Sequence, residues 1–206
     1  MSDTFSTIEQ RASYGIGLQM GQQLASQPFD GLDISAVQAG LAAAFNREAS
    51  AVSNKDLEEA FNVINQRMQK AQEEQAEAAQ AEGVNFLAEN AKRDEVTVTE
   101  SGLQYEVLTQ GEDGDKPTVD STVRTHYHGT FINGEVFDSS VARDQPAEFP
   151  VSGVIAGWTE ALQLMTPGTK LKLFVPSQLA YGEQGAGGSI PPHCTLIFEV
   201  ELLAIL

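Results

Sequence analysis

The stretch THYHGTFINGEVFDSS, Thr125 to Ser140, gathers two histidines, a tyrosine, a glutamate, an aspartate and two serines. Such a set admits a hydrolase, a metal site or a polar-edged binding pocket, and strand alternation decides which groups can meet. Over VRTHYHGTF, Val123, Thr125, Tyr127 and Phe131 point one way and Arg124, His126, His128 and Thr130 the other. With Val and Phe toward the core, both histidines face outward, away from Tyr127. A structural zinc site wants four ligands, and the sole cysteine, Cys194, belongs to a different strand with His193 beside it, so no metal is expected. Serine hydrolysis is disfavoured because Ser139 and Ser140 lack the Gly-x-Ser-x-Gly elbow. Tyr127, Phe137 and Asp138 remain on the concave side, an aromatic and carboxylate group with no evident nucleophile or base. That combination suits binding.

The elements that position these residues read as α+β from about Thr99 onward. SGLQYEVL sets Leu103, Tyr105 and Val107 against Gln104 and Glu106; TKLKLFVP and TLIFEVELL alternate in the same way, as half-buried antiparallel strands do. Asn133-Gly134 predicts a tight hairpin and Pro167-Gly168 another turn. GWTEALQLM, Gly157 to Met165, is the one helix expected here, with a curled antiparallel sheet wrapped on it.

The first half follows a period of 3.6. No proline occurs between Pro28 and Pro117, and residues 53–93 have the composition of a helix. Ser53 and Asp56 resemble a capping box; Leu57, Phe61, Ile64, Met68 and Ala71 follow at helical steps. The apolar stripe thins over KAQEEQAEAAQAE, which predicts an exposed strut of about 60 Å that frays or bends at Gly83. Upstream, Ile8, Ala12, Ile16, Met20 and Leu24 share one face, and Ile34, Val37, Leu41 and Phe45 mark a second short helix. Gly15, Gly17 and Gly21 cost the first helix about 1 kcal/mol each against alanine, which a closely approaching partner helix would offset. So small an all-α unit buries too little surface alone, and a homodimer through residues 1 to about 70 is expected. The division is 1–52 dimerisation module, 53–93 connecting helix, 94–206 second domain.

A formal charge of −17 over 206 residues, with 15 acidic and 7 basic residues in 1–98 and 14 and 5 in 99–206, leaves no basic half. Nucleic acid and anionic lipid are therefore not expected partners. No stretch has the roughly 18 apolar residues of a membrane span, and MSDTFSTIEQ lacks the grammar of an export signal. The expected address is the cytoplasm, with the periplasm as alternative where an export signal precedes this sequence.

VFDSS (136–140), PAEFPV (146–151), GVIAGWTEAL (153–162), LAYGEQGAGGSIPPHCTLIFEVELL (179–203) and the Tyr127 strand occur in a familiar order and spacing. Together residues 99–206 resemble an FKBP-type peptidyl-prolyl cis-trans isomerase domain. The helical half resembles the dimerisation module and connecting helix of the bacterial macrophage infectivity potentiator-like branch. The resemblance implies rotation of X-Pro bonds in unfolded or partly folded proteins, without a cofactor; two pockets kept apart by the paired arms would in addition let a dimer hold one client chain. It puts Trp158 at the pocket floor, Tyr127, Phe137, Val154, Ile155, Tyr181 and Phe198 in its walls, and Asp138 and Arg143 at a polar edge, with Ile190 as a further substrate contact. The Tyr181 hydroxyl and Ile155 N–H would hold substrate carbonyls. Macrolides such as rapamycin are implied inhibitors, at a rim opened by Ala147, Ala186 and Ser189. A non-catalytic proline-docking module and a structural dimer or chaperone remain the rival readings.

Overall fold

The computed structural model describes residues 5–26 and 28–206; Met1 to Thr4, read above for an export signal, lie outside the described residues. The chain divides into two compact units, Met1–Ala71 and Gln72–Leu206.

The first unit holds helices α1 (Ile8–Ser26) and α2 (Ile34–Asn46) and the start of α3 (Asn54–Asn90). Each start is specified by a short polar side chain. Asp33 accepts hydrogen bonds from the backbone N–H of Ser35 (2.8 Å) and Ala36 (3.4 Å) ahead of α2, satisfying donors that a first helical turn leaves free. Ser53 accepts from Asp56 N–H at 3.2 Å and donates to the Asp56 carboxylate at 2.7 Å. The shorter Asp thus reaches the serine hydroxyl, where a capping-box Glu would reach back to the backbone. Neither α1 nor α2 has a buried residue: Ile8 is 80% exposed, Ile16 60% and Phe45 88%.

Helix α3 runs unbroken for 37 residues, about 55 Å. Gly83 neither ends nor frays it. It is buried, because its missing side chain makes room for Thr195: a Cβ there would lie 2.4 Å from Thr195 Oγ1. Past Gly83 the helix is no longer a strut. Phe86 packs on Phe174 (centroids 6.0 Å apart), and Asn90 Nδ2 donates to Gln104 Oε1 at 2.9 Å. Helical residues before position 94 are therefore part of the second compact unit.

That unit is built on one antiparallel sheet of β1 (Val96–Val98), β2 (Gln104–Thr109), β3 (Thr122–Phe131), β4 (Val136–Ser139), β5 (Ala147–Pro150), β6 (Lys170–Val175) and β7 (Leu196–Ile205). The order is β1-β2-β6-β7-β3-β4, with β5 also paired to β3. Helix α4 (Ala156–Leu162) packs on the sheet through the buried Trp158, Ala161 and Leu162. Leu103, Val123, Leu162, Met165, Leu173, Leu196, Val200 and Leu202 are wholly buried there, each worth about 1.5–3 kcal/mol. The α+β architecture is the one the alternation predicts. Asn133-Gly134 makes the expected hairpin, with Gly134 at φ 86° and Phe131 N–H donating to Glu135 O at 2.9 Å. One part of the pattern fails. Gln104, expected on the polar side, is 5% exposed while Val107 is 47% exposed, because the end of α3 covers the other face of β2 and β6 near Gln104 and Phe174.

Candidate functional site

Trp158, in the first turn of α4 and 5% exposed, forms the base of a cavity of about 290 Å³. Three rings meet the indole edge-on: Phe198 at 5.3 Å, Tyr127 at 5.5 Å and Phe149 at 5.9 Å. Such perpendicular contacts set positive ring edges against negative faces and hold the indole plane. The buried indole N–H has no hydrogen-bond partner among the described residues. An unmet donor costs about 1–3 kcal/mol, a cost that folds tolerate mainly at sites of function.

Phe137 extends the wall, edge-on to Phe198 at 5.4 Å. Its place depends on Gly129 across the hairpin, where a Cβ would lie 2.7 Å from the end of the Phe137 ring. Asp138 follows directly on β4, yet also lines the cavity. Simple alternation would send these neighbours to opposite faces, but the β3–β4 register shifts between Gly129 and Thr130, and such an irregularity re-aims side chains.

The polar edge is a three-residue cluster. Tyr127 Oη donates to Asp138 Oδ2 at 2.5 Å, Arg143 Nη1 donates to Asp138 Oδ1, and Arg143 Nη2 donates to Tyr127 Oη at 3.0 Å. Burial pushes the Asp138 carboxyl up, but the Arg143 guanidinium and the Tyr127 hydroxyl together outweigh it and hold the group below the usual carboxylate value. For the Tyr127 phenol, burial and then the Asp138 carboxylate raise the pKa. The cluster thus holds a fixed anion, a fixed cation and a neutral phenol near neutral pH. None of the three is poised to exchange a proton.

The histidines and serines of the same stretch do meet, which alternation along β3 alone does not predict. His126 Nδ1 lies 3.0 Å from Ser140 Oγ and His128 Nδ1 3.0 Å from Ser139 Oγ. Chain reversal at the hairpin lays the serines beside the outward histidines. Ser140 is nevertheless no nucleophile: it is wholly buried, and its Oγ accepts from Tyr127 N–H at 2.7 Å and lies 3.2 Å from Tyr127 O. It fastens the Tyr127 backbone. Cys194 sits in the turn ahead of β7 and not on a strand.

Of the residues anticipated from sequence, Tyr127, Phe137, Asp138, Val154, Ile155, Trp158, Tyr181 and Phe198 line this one cavity. Arg143 reaches it through Asp138 and Tyr127. Ile190 does not: it is 8% exposed and packs in the core, since Ala186 and Ile190 pair backbone to backbone and turn the loop inward. Phe149 and Gly153 line the cavity unforeseen. The alternation of Ala147 and Phe149 against Glu148 and Pro150 in β5 carried the signal for Phe149.

Residues 114–203 match the family described as FKBP-type peptidyl-prolyl cis-trans isomerase, and residues 9–107 match the domain amino-terminal to it. The FKBP-type 22 kDa peptidyl-prolyl cis-trans isomerase of Escherichia coli (strain K12) is 54% identical over 203 residues, covering 98% of both chains. The outer membrane protein MIP of Legionella longbeachae is 35% identical over 98% of this chain and 88% of its own. Because that relative is named for the cell envelope, family membership does not support the expectation of a cytoplasmic address. Among solved structures, FkpA from Escherichia coli is similar at a TM-score of 0.70 and 33% identity, covering 98% of each chain. With matches along both halves, the chain belongs to the FKBP-type peptidyl-prolyl cis-trans isomerases, in the branch that carries a helical domain ahead of the isomerase domain.

Proposed function

We propose that the Trp158 cavity is where this isomerase takes the proline of an X-Pro bond, and that it accelerates rotation by favouring the twisted amide. Rotation breaks amide resonance against a barrier of about 18–20 kcal/mol, while the two isomers differ by only about 0.5–1 kcal/mol. No bond need be cleaved and no cofactor is needed. In the twisted state the carbonyl loses part of the dipole that water solvates well, so an apolar cavity stabilises it over the planar form. Each 1.36 kcal/mol of that preference is tenfold in rate. The observation that carries the reading is the indole held by three perpendicular rings beneath a fixed ion pair.

In this reading the pyrrolidine ring sits on Trp158 between Tyr127, Phe137 and Phe198. The Tyr181 hydroxyl and the Ile155 N–H hold substrate carbonyls. Tyr181 is 39% exposed, and Ile155 is the residue capping α4, whose N–H the helix itself does not use. Asp138 acts through its field and hydrogen bonds, oriented by Arg143, with no proton transferred. A macrolide such as rapamycin competes for the same rings.

The helical unit is proposed to dimerise through residues 1 to about 70, with 53–93 as connecting helix and 94–206 as isomerase domain. An apolar cavity of about 490 Å³ on the first unit, lined by Ile16, Met20, Leu24, Ile34, Leu41 and Phe45, supports this. Among the described residues nothing lies within 4 Å of a Cβ built at Gly17 or Gly21, which also line it, so a second copy is the partner that offsets their cost. Two linked sites then hold one unfolded client at raised effective concentration, a chaperone-like role. The test is turnover of a proline tetrapeptide measured beside the solution mass. Turnover by a species of twice the chain mass is expected; a monomer, or a dimer without turnover, overturns the corresponding half.

A further inference from the structure

The second unit carries a further cavity beside the aromatic one. About 400 Å³ lies between the side of α3 and the β3–β4 hairpin, closed at its end by the loop that leads into β7. We infer that this groove is a second contact for the client chain, taking an apolar stretch flanked by Lys or Arg a few residues from the proline. The inference rests on the Trp158 cavity being the X-Pro site.

The walls are preformed, as binding sites usually are. Thr195 seats against Gly83 and pins the helix to the loop. The hairpin is closed by Gly134 N–H donating to Phe131 O at 3.0 Å, and the loop by His193 N–H donating to Gly182 O at 2.9 Å. Ala79, Phe131, Ile132 and Pro191 provide apolar surface. Among the described residues the charged side chains lining the groove are Glu82 and Glu135, both exposed, so its mouth is acidic. The Glu82 field reaches inside: after burial, it is the second cause that pushes up the Cys194 thiol.

A polypeptide is the occupant because the groove adjoins the place where one is already held. Phe131 lines the groove and Phe137 lines the Trp158 cavity, and the two rings pack at 5.1 Å, so one aromatic pair separates the sites. At about 3.3 Å per extended residue, a few residues cross it. Binding there is intramolecular once proline is seated. It therefore lowers KM more than it raises kcat.

The test compares a proline tetrapeptide with the same peptide extended, at either end, by an apolar-Lys or an apolar-Glu segment. In the full chain one apolar-Lys extension is expected to raise kcat/KM about fivefold to tenfold, chiefly through KM, and the Glu version to do less than half as well. Filling the groove with Ala79→Trp, or reversing its charge with Glu82→Lys and Glu135→Lys together, removes the gain while tetrapeptide turnover stays within about twofold. In parallel, amide resonances of Ala79, Ile132 and Glu135 should shift when the Lys peptide is titrated. A gain that survives in the variants, or no gain and no shift beside normal tetrapeptide turnover, overturns the groove alone. Absence of tetrapeptide turnover overturns the Trp158 reading, and the amide shifts then still decide whether the groove binds the peptide.

Discussion

The Tyr127 hydroxyl donates to Asp138 Oδ2 at 2.5 Å across the β3–β4 hairpin, at the edge of a cavity that is otherwise aromatic. In the proposed reading the rings desolvate the X-Pro bond and this hydrogen-bonded pair orients it. Asp138→Ala is expected to lower kcat/KM about threefold to tenfold, on the order of 1 kcal/mol for one charge-assisted contact. Phe137→Ala or Trp158→Leu should cost well over tenfold, because in the proposed binding mode each removes surface against which the proline ring is buried. Coupled tetrapeptide assays measure all three. Equal losses would sink the desolvation account.

Gly129→Ala tests the same wall from behind. The new methyl lies 2.7 Å from the Phe137 ring and 3.1 Å from Phe198, so one ring must move into the cavity. Activity should fall about tenfold with Tm lowered by a few degrees, checked by turnover and thermal unfolding together. A loss of stability without a loss of turnover would mean the ring has room elsewhere.

The pH profile follows from the edge cluster. Asp138 has its folded pKa depressed, so its stabilising contribution is present above about pH 4, the unfolded carboxylate value, and is lost as pH falls through the lower folded value. Tyr127 has its folded pKa raised, so its contribution is complete below about pH 10 and is lost as pH rises through the higher folded value. Between them nothing in the cluster titrates. A flat kcat/KM is expected from about pH 5.5 to 8.5, and an inflection inside that window would show that a group outside the cluster controls turnover.

Helix α3 is joined to the sheet by a contact where two effects oppose. Gly83→Ala gains about 1 kcal/mol of helix propensity but overpacks Thr195 at about 1–3 kcal/mol, so Tm should fall by a few degrees. Adding Thr195→Ala should restore it in thermal unfolding. A rise in Tm from Gly83→Ala alone would show that the helix end is not pinned there.

Two truncations separate the roles of the helix. Removing residues 1–71 keeps Phe86 on Phe174 and Asn90 on Gln104; removing 1–92 uncovers the ring and leaves Gln104 unmet. Residues 72–206 should keep tetrapeptide turnover within about twofold yet assist a proline-limited folding reaction poorly. Residues 93–206 should melt roughly 10 °C lower, for about 2–4 kcal/mol of lost packing and hydrogen bonding. Full folding assistance by residues 72–206 would end the two-site holding idea.

Period-two alternation and the hairpin glycine specified β2, β3, β6 and β7, and the strand-by-strand faces of Val123, Tyr127 and Phe131 followed, because a pleat obliges every second side chain to share a side. Motifs spread over residues 136–203 were enough to assemble most of the Trp158 wall. What they could not supply depends on pairs distant in the chain. Gln104 is buried only because α3 crosses a face that local pattern reads as wet. Gly83 is a packing notch, not a break, only because Thr195 stands opposite. Ser140 reaches His126 only because the hairpin brings the two strands together. Local chemistry along the chain therefore determined which elements form and which residues suit a pocket, whereas the identity of each residue's neighbours, and with it burial, was decided by how those elements pack.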